Sequence, residues 1–285
     1  MTLMNDTTIL PPLIDIRNAT VVRGDSRVLH NLSLRIDDGQ HVAIVGPNGS
    51  GKSTLIKLIT RQLYPLAGKD QNPVVEIFGR DRWDVFELRS MLGILSNDMH
   101  QDFTADPDLD GLEVVISGFF ASKGVPQYQR VSQEMTEAAQ RAVELVQARH
   151  LAGKRLAEMS TGEARRILIA RALVSNPRAL MLDEPTAGLD LASRRRFLHS
   201  VRQISRRQKT IILVTHHVEE IIPEINRVIL IKDGAVFDDG DKESILTNKR
   251  FSALFDEPIE VRKSSGGYYS AEIELLAGDR ISDLD

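Results

Sequence analysis

HVAIVGPNGSGKSTLIKLI, residues 41–59, joins a short apolar run to a helical pattern through a loop carrying three glycines. The run His41 to Val45 stops at Gly46, and a short apolar run bounded by glycine suits a strand buried on both faces. Leu55, Leu58 and Ile59 then share one helical face, so the spacing predicts a helix from Lys52 to about Leu63, ended by Pro65 and Gly68. The loop between has the spacing G-x-x-x-x-G-K-[ST] in the strand–loop–helix context of a phosphate-binding loop. Glycine lets the backbone wrap until its N–H groups converge on phosphate oxygens, and the helix N-terminus adds partial positive charge. On this reading Gly46, Pro47, Asn48, Gly49, Ser50, Gly51, Lys52, Ser53 and Thr54 cradle a triphosphate. Lys52 reaches the β- and γ-phosphates, and the Ser53 hydroxyl ligates Mg²⁺.

Working outward, Leu32, Leu34 and Ile36 alternate with polar residues, the pattern of a half-buried strand, and Asp37-Asp38-Gly39 makes a turn. Val74 to Phe78 reads as another strand. From about Asn97 to Ser160 strands become scarce, and Met135, Ala139, Ala142, Val143 and Val146 recur at helical intervals. Strand signals resume at Ala179–Leu182, Thr210–Val214 and Val228–Ile231, with helical patterns between them, which implies a parallel sheet covered by helices. Asp233-Gly234 is a two-residue hairpin signal, and SSGG at 264–267 could close a small hairpin in the tail. The expected fold class is α/β: a P-loop NTPase core with a mostly parallel sheet, an N-terminal antiparallel β subdomain and an inserted helical subdomain.

In ALMLDEPT, Ala179 to Thr186, an apolar strand delivers two carboxylates at its C-terminal end, where sites form in parallel sheets. Asp183 suits the Mg²⁺ shell, and Glu184 suits a general base that orients a water at the γ-phosphate. Alone such a pair is usually a solvated turn; beside a phosphate loop the catalytic reading takes over. Ser160-Thr161-Gly162-Glu163 is a capping-box pattern opening an apolar helix, and a capped helix start is again an anion site. Asn176-Pro177 stops that helix.

The order of these motifs resembles the ATP-binding cassette (ABC) family of ATPases over about residues 13–245. GPNGSGKST is similar to that family's Walker A motif and LMLDE to its Walker B. MSTGEARR resembles the signature sequence, AGLD ending at Asp190 the D-loop, and Val214-Thr215-His216 the switch-histidine motif. The resemblance implies that two cassettes sandwich two ATP molecules. Ser160 and Gly162 would then bind the γ-phosphate held by the partner chain, and His216 would stand near it. It implies a homodimer, or a pairing with a related ATPase subunit, and a helical subdomain that receives an integral-membrane permease. The division expected is 1–96 for the antiparallel β and Walker A part, 97–162 for the helical subdomain, 163–250 for the rest of the core, and 251–285 for a C-terminal extension.

Five positions depart from the family pattern. Asn97 stands where a glutamine usually reaches Mg²⁺, one methylene shorter, and nearby Gln101 could substitute. Arg23 stands where an aromatic ring usually stacks on adenine, and a guanidinium can stack through its planar face. Met159, Thr161 and Glu163 replace the usual Leu, Gly and Gln of the signature.

Composition narrows the function. The chain has 285 residues, 42% hydrophobic and 27% charged, so it is globular, and the absence of cysteine excludes disulfides and thiolate chemistry. A formal net charge of −4 argues against a broad nucleic-acid footprint, and no direct nucleic-acid partner is expected. The runs Arg194-Arg195-Arg196 and Arg206-Arg207 read as solvated helix faces. No apolar stretch is long enough to span a bilayer and the start lacks a secretory pattern. The chain is therefore expected to be cytoplasmic, peripheral on the inner face of the membrane through a permease. The leading expectation is an ATP-hydrolysing transporter subunit. DGLEVVISGFF, Asp110 to Phe120, resembles importer ATPases of the iron-complex and molybdate-related type, which favours import of a small ion or chelate. The alternatives are a permease-free ABC ATPase of repair, translation or regulation, and a small-molecule kinase, in which the signature and D-loop would have no job.

Overall fold

The computed structural model describes residues 11–67, 74–104 and 108–274, without the side chains of Asn97, Gln101 and Thr104. Two strands open the chain, β1 (Ile14–Arg23) and β2 (Ser26–Ile36), as an antiparallel hairpin in which Ile14 faces Ile36. Leu32, Leu34 and Ile36 are buried while the residues between them are exposed, as their alternation requires. Next come β3 (Val42–Val45), the glycine loop, and α1 (Lys52–Ile59). β4 (Val75–Ile77) returns to the free edge of β1, completing a three-stranded antiparallel sheet.

The helix α1 stops at Ile59, short of the Leu63 that the sequence suggests. The stop is Arg61, which adopts the left-handed φ of 59°. Its N–H donates to the Leu58 carbonyl at 3.2 Å, and the Gln62 N–H to the Lys57 carbonyl at 2.8 Å. This is a Schellman close, usually made with glycine. The Arg61 guanidinium also donates to the Val75 carbonyl, tying the helix end to β4. Gly68 lies outside the described residues.

The helix α2 (Val85–Met91), capped by Asp84, leads into β5 (Leu92–Leu95). A helical stretch follows, with α3 (Asn97–Thr104), α4 (Gly111–Ile116), α5 (Gln133–Leu145) and α6 (Thr161–Leu173). The core then resumes with β6 (Ala179–Asp183), α7 (Leu191–Ser205), β7 (Thr210–Thr215), β8 (Arg227–Lys232) and β9 (Ala235–Asp241). Asp233 and Gly234 both take positive φ, 48° and 74°, the conformation of a two-residue hairpin turn between β8 and β9. Last come α8 (Lys242–Ile245), α9 (Asn248–Phe255) and a hairpin of β10 (Ile259–Lys263) with β11 (Tyr269–Ile273), closed through Ser264–Gly267 as the SSGG pattern suggests.

The central sheet has the order β5-β6-β7-β3-β8-β9, parallel throughout except for β9. Successive residues of its inner strands serve two different cores. Ala43, Val45, Leu180, Leu182, Ile211, Leu213 and Leu230 pack with the helical stretch. Val42, Ile44, Met181, Ile212, Val214 and Ile229 pack against α1 and the antiparallel sheet. A strand covered on both faces must be apolar at every position, which is why HVAIV and ALML read as continuous runs. Among the described residues no helix is long and apolar enough to cross a membrane.

Candidate functional site

The phosphate-loop residues gather at the C-terminal end of β3, between its neighbours β7 and β8. The Gly46 N–H donates to the Thr215 carbonyl, and the Gly234 N–H to the Ser50 carbonyl. Gly51 is the N-cap of α1 at φ 103°, and no side chain caps that helix end. A Cβ at Gly46 would stand 2.2 Å from the Ile231 carbonyl oxygen, so this glycine is required by close approach. Lys52 is 6% exposed. Its Nζ donates to the carbonyls of Gly46 at 2.7 Å and Pro47 at 2.9 Å, curling the side chain back over its own loop. Burial pushes the ammonium below its ordinary range, while Glu184 and Asp183 pull it back up.

Asp183 ends β6 and Glu184 follows it, and with Asn48, Ser53, Ser96 and Asp98 they line a cleft of about 760 Å³. Burial and then the charge of Glu184 push the Asp183 carboxyl up to about 6, against the downward pull of Lys52. An acid raised this way marks an anionic pocket short of positive charge. That chemistry fits a magnesium ion. Among the described residues no group of three or more His, Cys, Asp or Glu could hold a metal. Asn97 begins α3, directly beyond β5, but its side chain and that of Gln101 lie outside the described residues.

Glu184 itself takes a left-handed φ of 44°. Its N–H donates to the Val214 carbonyl at 2.8 Å, and its Oε1 lies 2.7 Å from Nδ1 of His216, just beyond β7. A carboxylate can only accept, so Nδ1 carries the hydrogen; Nε2 then accepts in the neutral ring and donates only in the imidazolium. Glu184 Oε2 makes no hydrogen bond among the described residues.

Ser160 and Gly162 do not line this cleft. They sit at the N-terminus of α6, where the Ser160 hydroxyl accepts from the Glu163 N–H and the Glu163 carboxylate accepts from the Ser160 N–H at 2.8 Å. Lys154 also donates to Glu163, at 2.9 Å. These hydrogen bonds, led by the one from Lys154, hold the Glu163 carboxyl down at about 2. A Cβ at Gly162 would meet Ser193 of α7 at 3.1 Å, and Ser193 is the residue whose N–H and hydroxyl donate to Asp190, the N-cap of α7. The signature and D-loop residues are thus neighbours, linked through Ser193. Arg23 is exposed at the tip of the β1–β2 turn, opposite Ser26, and is likewise not part of the cleft wall. The hairpin does reach the loop further along, where Leu29 crowds Gly51 and the His30 N–H donates to the Gly234 carbonyl.

The sequence reading overlooks several groups. Asp98 and Ser96 belong to the cleft wall. Arg171 of α6 is held by Ser117 and the Ser122 carbonyl, and burial lowers its guanidinium to about 10. Arg165 of the same helix is 3% exposed and reaches the carbonyls beyond β6. Buried residues occupy nearly every face of α6. An arginine inside such an apolar helix must find acceptors in the interior, and that is the signal that could have flagged both.

The ABC transporter family model matches residues 29–187. The chain is 33% identical over 252 residues to the uncharacterized ABC transporter ATP-binding protein YlmA of Bacillus subtilis, covering 87% of this chain and 93% of that protein. It is 32% identical over 227 residues to the zinc uptake system ATP-binding protein ZurA of Listeria innocua, covering 79% and 85%. The dimeric bacterial ABC transporter cassette MJ0796 superimposes with a TM-score of 0.65 at 27% identity, covering 80% of this chain and 98% of that one. The protein is thus an ATPase cassette, in keeping with the fold and the phosphate loop. It belongs to the ABC transporter family, as an ATP-binding subunit.

Proposed function

We propose that the chain is the motor of an importer for a small ion or chelate, closing as a dimer on ATP and reopening after hydrolysis to move an integral-membrane permease. Gly46 to Thr54 wraps the phosphates, with Lys52 Nζ leaving its two carbonyls to take the β- and γ-oxygens. Ser53 and Asp183 would hold Mg²⁺, with Asn97 or Gln101 as a further ligand. When bound, the ion supplies positive charge to the β- and γ-phosphate oxygens. As the water oxygen bonds to the γ-phosphorus and the γ-phosphorus bond to the β-phosphate oxygen breaks to release ADP, Glu184 Oε2 receives the water's proton, while Oε1 stays on His216, which fixes the carboxylate's orientation. Arg23 stacks on the adenine. Ser160, Gly162 and Asp190 complete the site of a partner chain, whether a second copy or a related ATPase subunit. Residues 97–162 receive the permease, which keeps the chain cytoplasmic and peripheral on the membrane, and 251–285 is an extension beyond the core division 1–96 and 163–250. The zinc uptake relative supports the import reading.

The observation that carries the catalytic part is the 2.7 Å contact of Glu184 with His216 beside the buried Lys52 loop. Replacing Glu184→Gln should keep ATP binding and nearly abolish phosphate release; wild-type turnover would remove Glu184 as the base. For the permease, purification from membranes should bring an integral-membrane protein along, and a chain recovered alone would sink that part.

A further inference from the structure

Between β6 and α7 the chain turns through Glu184-Pro185-Thr186-Ala187, and this turn is gripped from two sides. On one side Arg165 donates to the Glu184 carbonyl at 3.2 Å, to Pro185 at 2.7 Å and to Ala187 at 2.8 Å. On the other, Glu220 accepts at its Oε1 from both the N–H, at 3.1 Å, and the hydroxyl of Thr186. All three side chains are interior: Arg165 is 3% exposed, Thr186 1% and Glu220 0%. The turn's acceptors therefore meet a cation and its donors meet an anion, in a region where water cannot replace either. Such charge-assisted bonds are stronger than neutral ones, and losing one partner leaves a buried group uncompensated.

The grip has a purpose visible in the backbone. Glu184 holds a left-handed φ of 44° that an L side chain rarely adopts, so something beyond its own preferences must fix it. Arg165 lies one turn into α6, whose tip is Ser160. Glu220 lies four residues past His216. We propose that Arg165 and Glu220 are positioning residues that clamp the Glu184–Ala187 turn. They thereby tie the aim of the Glu184 carboxylate to the signature helix on one side and to the His216 segment on the other. The signature tip and the base then move as one piece. A phosphate reaching Ser160 bears, through α6 and Arg165, on the base of the same chain. This rests on Glu184 being the base.

The test is a double-mutant cycle on the full chain, measuring kcat, KM and ATP affinity. Arg165→Met should lower kcat by about ten- to a hundredfold, the effect of a misplaced catalytic group, while ATP affinity holds within about twofold. Arg165→Lys keeps the charge but cannot span three carbonyls, and should fall between. In single-turnover measurements on a Glu184→Gln background, Arg165→Met should add no further loss, because its target is already disabled. An equal, additive loss in that background overturns the clamp, as does wild-type kcat in folded Arg165→Met. If that variant does not fold, Thr186→Val removes one Glu220 contact at constant volume; reduced kcat with unchanged ATP affinity is expected, and unchanged kcat overturns the proposal. Wild-type turnover of Glu184→Gln alone would instead remove the base reading, so the two failures are distinct.

Discussion

The two helix N-termini that the proposed ATP site would draw on are built in opposite ways. The start of α1 has no side-chain cap, only a left-handed glycine, and lies in the floor of a loop closed over by a buried lysine. The start of α6 is capped twice over by its own Ser160 and Glu163 and stands open to solvent. The first leaves its amides for a ligand and is complete within one chain. The second satisfies two of its own donors, so it stays ordered with nothing bound, and keeps the Thr161 and Gly162 amides and the Ser160 hydroxyl hydrogen in reserve. In the proposed split site, one end is a cradle without a cap of its own and the other a helix tip that stays capped by its own side chains.

That contrast can be broken or sharpened by substitution. The largest effect falls at the closed end: Lys52→Ala should weaken ATP binding roughly a hundredfold, the loss of a charge-assisted contact of about 3 kcal/mol. Equilibrium binding of a fluorescent nucleotide reads this directly, and unchanged affinity would refute the cradle. Gly46→Ala forces a Cβ onto the Ile231 carbonyl and should lower unfolding free energy by about 2 kcal/mol, measured by urea titration. A neutral result there would mean the loop gives way more readily than its packing implies.

At the open end the effects are smaller. A 1:1 mixture of a Ser160 variant with a Lys52 variant should recover about a quarter of wild-type turnover, since half of random dimers are hybrids with one intact site of two. No recovery would place both ends in the same chain's site. Smallest, Glu163→Ala should destabilise the protein by about 1 kcal/mol at pH 7 through the lost capping box. Because Lys154 and the Ser160 N–H hold Glu163 at about 2 against an ordinary 4.5, the ion's contribution is full above pH 4.5 and fades as pH falls toward 2. The gap between wild type and variant should therefore narrow over that window. A constant gap would show that the carboxylate's charge contributes nothing to the cap.

What the sequence made legible follows the range of each interaction. The loop could be read because the left-handed φ of Gly49 and Gly51 admits few residues besides glycine, and Asp183-Glu184 because an apolar strand announces its own end. The end of α1 could not, since Arg61 does the work of a glycine there. Arg165 could be seen as a residue but not as a clamp. Its acceptors lie 19 to 22 positions away, on a turn that only the packing of α6 on the sheet brings near. The tail hairpin was visible in its turn, while its docking, with the Ala271 N–H on Glu219 near the histidine segment, was not.

Glu184 sits in a conformation that asparagine or glycine would occupy more comfortably, by about 1–2 kcal/mol. Either replacement should raise the melting temperature while extinguishing turnover. Heat-based screens for hardier versions of this protein would therefore enrich dead ones, and any such search needs an activity gate at this one position.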